Sequence, residues 1–90
     1  LYMKYKSFLH IVKKDKMFYM EREIIIKKFA ENLRAERARK HYTQEKLAEL
    51  ANISPEYLAR IEAGKFSPSL VVIVNLAHAL DVPIQKLIDF

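Results

Sequence analysis

The stretch TQEKLAELANISPEYLARIEAG, Thr43 to Gly64, reads as two short helices separated by very little chain. Thr43 is a good N-cap, and Glu45, Leu47, Ala48 and Ala51 fill a helix whose end is marked by Asn52. Asparagine tolerates the left-handed backbone that a tight helix exit often needs. Ser54-Pro55-Glu56 then restarts the chain. Serine caps, proline takes the first helical position where no amide donor is required, and the acid favours the first turn. This second helix runs to about Ala63, and the only glycine of the chain, Gly64, closes it. With so few residues between Ala51 and Ser54, the two helices cannot lie side by side antiparallel. They must cross at a wide angle, which is the helix-turn-helix geometry.

The charge of the stretch runs against that geometry's usual use, entry into a DNA groove. Glu45, Glu49, Glu56 and Glu62 outnumber Lys46 and Arg60, a net charge of −2. The whole chain carries +5, but residues 1–28 hold eight Lys/Arg against three acids, while residues 29–90 hold eight of each. The pI near 9.5 therefore says little about the folded part, and any basic face has to be found by position.

Outward from the central stretch, the helical pattern continues on both sides. From Phe29 the apolar residues fall at helical spacing, with Phe29, Leu33 and Arg37 on one face and Glu31, Arg34, Glu36 and Arg39 mostly elsewhere. That predicts helix 1, ending near Lys40. After Gly64, Phe66-Ser67-Pro68-Ser69 is loop chemistry. Ser69 can cap a fourth helix through Leu80 with Ile73, Leu76, Ala77 and Leu80 inward, and Val82-Pro83 restarts a short fifth closed by Leu87 and Ile88. No segment alternates like a strand. The expected fold is all-α, one compact domain of five short helices, because 90 residues with 51% apolar composition suffice for one core and not two.

Residues 1–19 mix five aromatics with five lysines and follow neither structural period for long. The chain begins with Leu, and Met20 opens the more regular text. The expected division is an N-terminal extension over 1–19 and a helix-turn-helix domain over 20–90. Three readings of the extension stay open: a loose tail or upstream sequence, a basic arm along a DNA backbone, or an amphipathic segment against a membrane surface or partner. The surplus apolar residues of helix 4, Val71 and Val74, also need cover. A second subunit, helix 5, or the N-terminal segment through Ile24, Ile25 and Ile26 could supply it.

The central pattern resembles the phage-repressor and Cro-like family, the lambda-repressor-like domains, over roughly Phe29 to Phe90. The resemblance rests on TQEKLA opening helix 2, ISPEYLARIEAGK for helix 3, and PS followed by VNLAHALDVP after it. It implies a five-helix domain whose third helix lies in the major groove, as a homodimer on an inverted-repeat operator in double-stranded DNA. It also implies roles. Gln44 contacts a phosphate and braces the recognition helix. Pro55, Glu56 and Arg60 face base edges, with Ser54 at the groove entrance and Tyr57 either reaching a phosphate or packing on a neighbour. Lys65 lies in the loop along the backbone, and Arg37 and Glu62 form an ion pair linking helix 1 to the end of helix 3. The family often has glycine where this chain has His41 and Asn52, and both replacements tolerate positive φ with some strain. Pro55 brings no side-chain donor, so base recognition rests on fewer residues than usual.

On this reading the acids do little harm. Glu45 favours a helix dipole, Glu49 points to solvent and Glu62 is neutralised by Arg37. Glu56 is left as the one acid on the contact face, expected to bridge to Arg60 when DNA is absent. Positive potential comes from Lys40, Lys46, Arg60 and Lys65 and from the amide-rich starts of helices 2 and 4. If about three or four phosphates are neutralised per half-site, the salt slope per subunit is on the order of −3 to −4.

The function expected is a sequence-specific DNA-binding transcriptional regulator, a repressor or autoregulator controlled by concentration and dimerisation. The alternative is a helical protein-protein interaction module on the same scaffold. An enzyme is not expected, because the sequence offers no nucleophile and base pair, metal cluster or glycine-rich phosphate loop. Neither a cofactor nor a small-molecule ligand is expected. No stretch approaches the roughly 18 apolar residues of a spanning helix, and the chain has no cysteine, so a cytoplasmic protein is expected.

Overall fold

Among the described residues, three of five helices start on a hydroxyl side chain, and four end on a left-handed residue. The computed structural model describes residues 20–90, and its order is α1 (Arg22–Arg39), α2 (Gln44–Ala51), α3 (Pro55–Glu62), α4 (Leu70–Leu80) and α5 (Gln85–Ile88). The hydroxyls of Thr43, Ser54 and Ser69 accept from the backbone amides of Lys46, Tyr57 and Val72 at 3.0, 3.1 and 3.2 Å. Each satisfies one of the amides that a helix start leaves without an internal partner. The proposed extension over residues 1–19 lies outside the described residues.

The four exits repeat one construction. His41, Asn52, Gly64 and Asp81 sit at φ 60°, 60°, 70° and 57°. At each, the amide of the left-handed residue bonds three residues back and the next amide five back, as in His41 to the Ala38 carbonyl and Tyr42 to that of Arg37. This is the Schellman closure, which favours glycine. Only one of the four residues is a glycine, and the other three are types that enter the left-handed region more readily than most.

Helix 1 starts earlier than the reading from Phe29. It begins at Arg22 and buries Ile26, Phe29, Ala30 and Leu33, an i, i+3, i+4, i+7 stripe. Three consecutive isoleucines lower intrinsic helicity, but only Ile26 faces inward, and its burial with Phe29 carries the helix through the run. Glu36, assigned to the outer face, is also buried, at 7% exposure, and pairs with Arg39 one turn on.

The core is built from side chains of all five helices, mostly aliphatic and joined by Phe29, with Leu33, Leu47, Leu58, Ile61, Leu76, Leu80 and Leu87 fully enclosed. Helix α2 packs on α3 and α4, and α1 packs on α3 and α5. Ala48 is fully buried in α2, where its small side chain permits α3 to approach. The amide of Asn32 donates to the carbonyls of Leu87 (3.0 Å) and Asp89 (3.2 Å), fastening the end of the chain to α1. Of Leu87 and Ile88, the two residues expected to close the fifth helix, Ile88 is exposed and Leu87 alone enters the core from α5.

Candidate nucleic-acid interface

Helix α3 has two unlike sides. Leu58 and Ile61 anchor its underside in the core, while Ser54, Pro55, Glu56 and Arg60 stand exposed on the other, and Tyr57 and Ala59 are half-buried between them. Tyr57 leans on Phe66 with ring centroids 5.2 Å apart and planes tilted at 46°. This contact joins α3 to the loop that follows it, and the offset, tilted geometry is one that aromatic pairs favour.

The far end of α3 is held by polar bonds converging on Glu62, which is 3% exposed. Its Oε2 accepts from Arg37 Nε at 2.7 Å, and its Oε1 accepts from Arg37 Nη2 at 2.9 Å and from Gln44 Nε2 at 2.8 Å. Arg37 Nη1 donates to the Tyr42 carbonyl at 2.9 Å, and the Arg34 guanidinium donates to the Glu62 carbonyl. One carboxylate thus ties together α1, the start of α2 and the end of α3. The fork of Arg37 on both carboxylate oxygens is the strong form of such a pair. The hydrogen bond to Glu62 raises the Arg37 pKa above its ordinary value, burial works against the rise, and the charges of Glu62 and Glu45 add to it.

Among the described residues, no ion pair joins Glu56 to Arg60, so the bridge expected without DNA does not form. Both side chains are exposed, and an i, i+4 contact there gains only about 0.2–0.5 kcal/mol, too little to outweigh the freedom of two solvated chains. Lys40, Lys46 and Lys65 are likewise exposed, and Gln44 is half-buried at the start of α2.

Sequence reasoning missed Arg34. It stands three residues before Arg37 and so on a neighbouring part of the same helix face, a signal that was available. Its partner is a main-chain carbonyl, which no pattern of side chains reveals. The bond fills one of the acceptor positions that the end of α3 leaves open.

Among the described residues, nothing covers the apolar residues at the start of α4. Leu70 is 70% exposed, Val71 68% and Val74 37%. Of the isoleucines considered as cover, Ile26 is buried in the core while Ile24 and Ile25 are themselves exposed. No described helix is long and apolar enough to cross a membrane.

A family model described as helix-turn-helix matches residues 33–87. The chain is 36% identical over 58 residues to the immunity repressor protein of Bacillus phage phi105, covering 64% of this chain and 40% of that protein. The chain therefore spans less than half the length of that curated relative. Among solved structures, the restriction-modification controller protein C.AhdI from Aeromonas hydrophila is 39% identical, with a TM-score of 0.67 over 69% of this chain and 94% of its own. The clp gene regulator ClgR from C. glutamicum is 30% identical, with a TM-score of 0.67 over 70% of this chain and 82% of its own.

Proposed function

The chain belongs to the helix-turn-helix family, and from that premise we propose that it is a sequence-specific DNA-binding transcriptional regulator, a repressor or autoregulator that lays α3 in the major groove. The observation that carries this reading is the contrast across α3. Its outer face presents Ser54, Pro55, Glu56 and Arg60 to solvent, while the Glu62 bonds to Arg37 and Gln44 fix the helix from beneath. A reading helix has to be rigid, because a base contact holds only if the side chain arrives in register.

In this reading Arg60 forks onto guanine O6 and N7, and Glu56 accepts from cytosine N4 or orients Arg60. Ser54 and Tyr57 flank the groove, Tyr57 keeping its ring on Phe66. Gln44 turns part of its amide to a phosphate while bracing Glu62, and Lys65 follows the backbone. The protein acts in the cytoplasm as a homodimer on an inverted repeat. The exposed Leu70, Val71 and Val74 supply an apolar surface of the kind a second subunit covers. Those same three residues favour the second reading, a protein-binding module on this scaffold.

Selection of bound sites from a random double-stranded pool, with wild type and Arg60→Ala in parallel at moderate salt, tests the proposal. An inverted repeat enriched by wild type and degraded at one base pair by the variant is the expected result. Equal enrichment by both removes Arg60 from base reading, and no enrichment by either favours the protein-binding module.

A further inference from the structure

The front of α1, residues 22–32, precedes the segment that the family model matches, yet it packs against the exit of the recognition helix. A Cβ placed on Gly64 would lie 3.8 Å from Lys27 Cγ and 3.9 Å from Ala30 Cβ. Seven residues beyond Lys27 on the same face, Arg34 donates to the Glu62 carbonyl. The stripe Lys27, Ala30, Arg34 therefore runs along the end of α3 and the turn that follows it.

Lys27 is exposed although its stem rests beside Gly64, so the aliphatic part packs while the ammonium reaches water. The next residue of the turn, Lys65, is also exposed, and its amide is bonded to the Arg60 carbonyl at 3.3 Å. Lys27, Arg34 and Lys65 thus lie beside the end of α3 and the turn that follows it, with Arg60 in the helix's last turn. The acid among them, Glu62, is buried and already occupied by Arg37 and Gln44. Glu23 and Glu31 lie one turn either side of Lys27, and among the described residues neither forms an ion pair with it.

We propose that Lys27 binds a backbone phosphate of duplex DNA at the flank of the site, continuing outward the track begun by Lys65. The inference rests on the DNA-binding reading above and adds to it a contact from outside the helix-turn-helix. A cation at the end of α3 would also favour that helix's dipole, and this alternative predicts a change in stability without a change in ion release. The two are separable because each phosphate neutralised contributes about 0.9 to the slope of log K against log salt.

The test measures that slope for wild type, Lys27→Gln, Lys27→Arg and Lys28→Gln on a duplex enriched by wild type. Lys28→Gln removes the same charge from the next position on the same helix, about 100° around its axis. The expected result is a slope shallower by about 0.9 per subunit for Lys27→Gln, with unchanged base preferences, and wild-type slopes for Lys27→Arg and Lys28→Gln. A Lys27→Gln slope equal to wild type overturns the proposal, and so does equal shallowing by Lys28→Gln. Absence of duplex binding by wild type overturns the DNA-binding reading itself, whereas the two preceding outcomes leave it standing.

Discussion

Glu56 and Glu62 bracket one short helix, α3, and have opposite fates. Glu62 is 3% exposed, with both carboxylate oxygens bonded to Arg37 and one also to Gln44, while Glu56 is exposed and has no ion-pair partner among the described residues. The difference comes from which side of the helix each occupies. On the underside, desolvation makes an unpaired charge so costly that the surrounding residues must be built to meet it. On the outside, water meets the charge and nothing constrains it. The apparent excess of acid in the central stretch therefore divides into a structural carboxylate, neutralised within the fold, and the solvated carboxylates of Glu45, Glu49 and Glu56.

The largest effect should come from Arg37→Ala, which leaves the Glu62 carboxylate buried with Gln44 as its remaining partner. Removing one member of a buried pair costs about 3–5 kcal/mol, and the partial exposure of Arg37, 22% of its side chain, points to the lower end, about 3 kcal/mol. Chemical denaturation should register that loss as a lower midpoint with little change in slope. An effect below about 1 kcal/mol would mean that Glu62 is held as well by water as by Arg37, and the contrast with Glu56 would collapse.

A smaller effect is expected at the turn that the same arginine reaches. Arg37 Nη1 bonds the Tyr42 carbonyl at 2.9 Å, immediately after His41 at φ 60°. Replacing His41 by glycine relieves the left-handed strain, about 1–2 kcal/mol for an ordinary residue, at an entropic cost of about 0.5–1 kcal/mol. The net expectation is a stabilisation of about 0.5 kcal/mol, read as a rise in Tm of a few degrees. A loss of stability would show instead that the arginine-to-carbonyl bond depends on the stiffness of His41.

How far these features could be read in advance depends on how local their causes are. Thr43, Ser54 and Ser69 as caps, and Asn52 and Gly64 as exits, were legible because a cap satisfies amides within its own turn and an exit needs only its own φ. Asp81 as a left-handed exit is hidden in the sequence, because the stronger local signal is the restart at Val82-Pro83 that follows it. The start of α1 was obscured by Ile24, Ile25 and Ile26, whose intrinsic preference is overruled by burial of one of them. The burial of Glu36 and the carbonyl partner of Arg34 are not legible in the sequence, since both follow from how α1 sits against the rest of the molecule. Among the site residues, Pro55, Glu56 and Arg60, which the resemblance assigns to the contact face, are exposed, whereas the missing Glu56–Arg60 bridge turns on a balance of a few tenths of a kcal/mol.

That weak balance makes Glu56→Gln the sharpest test, although its effect on the fold is the smallest. Stability should stay within about 0.5 kcal/mol of wild type, because an exposed side chain without a partner supports nothing. Binding to non-specific duplex, measured by titration at fixed low salt, should strengthen modestly, because one negative charge is withdrawn from the proposed contact face. On the enriched site the outcome divides by mechanism. If Glu56 accepts from cytosine N4, the glutamine weakens discrimination at that base pair by about 1 kcal/mol even as overall attraction rises. If it only orients Arg60, the base preference moves with that of Arg60→Ala and at the same position. Glu62→Gln supplies the contrast: it should lower stability, because the glutamine cannot meet Arg37 with a charge. Equal behaviour of the two glutamines would show that the two sides of α3 differ less than their burial implies.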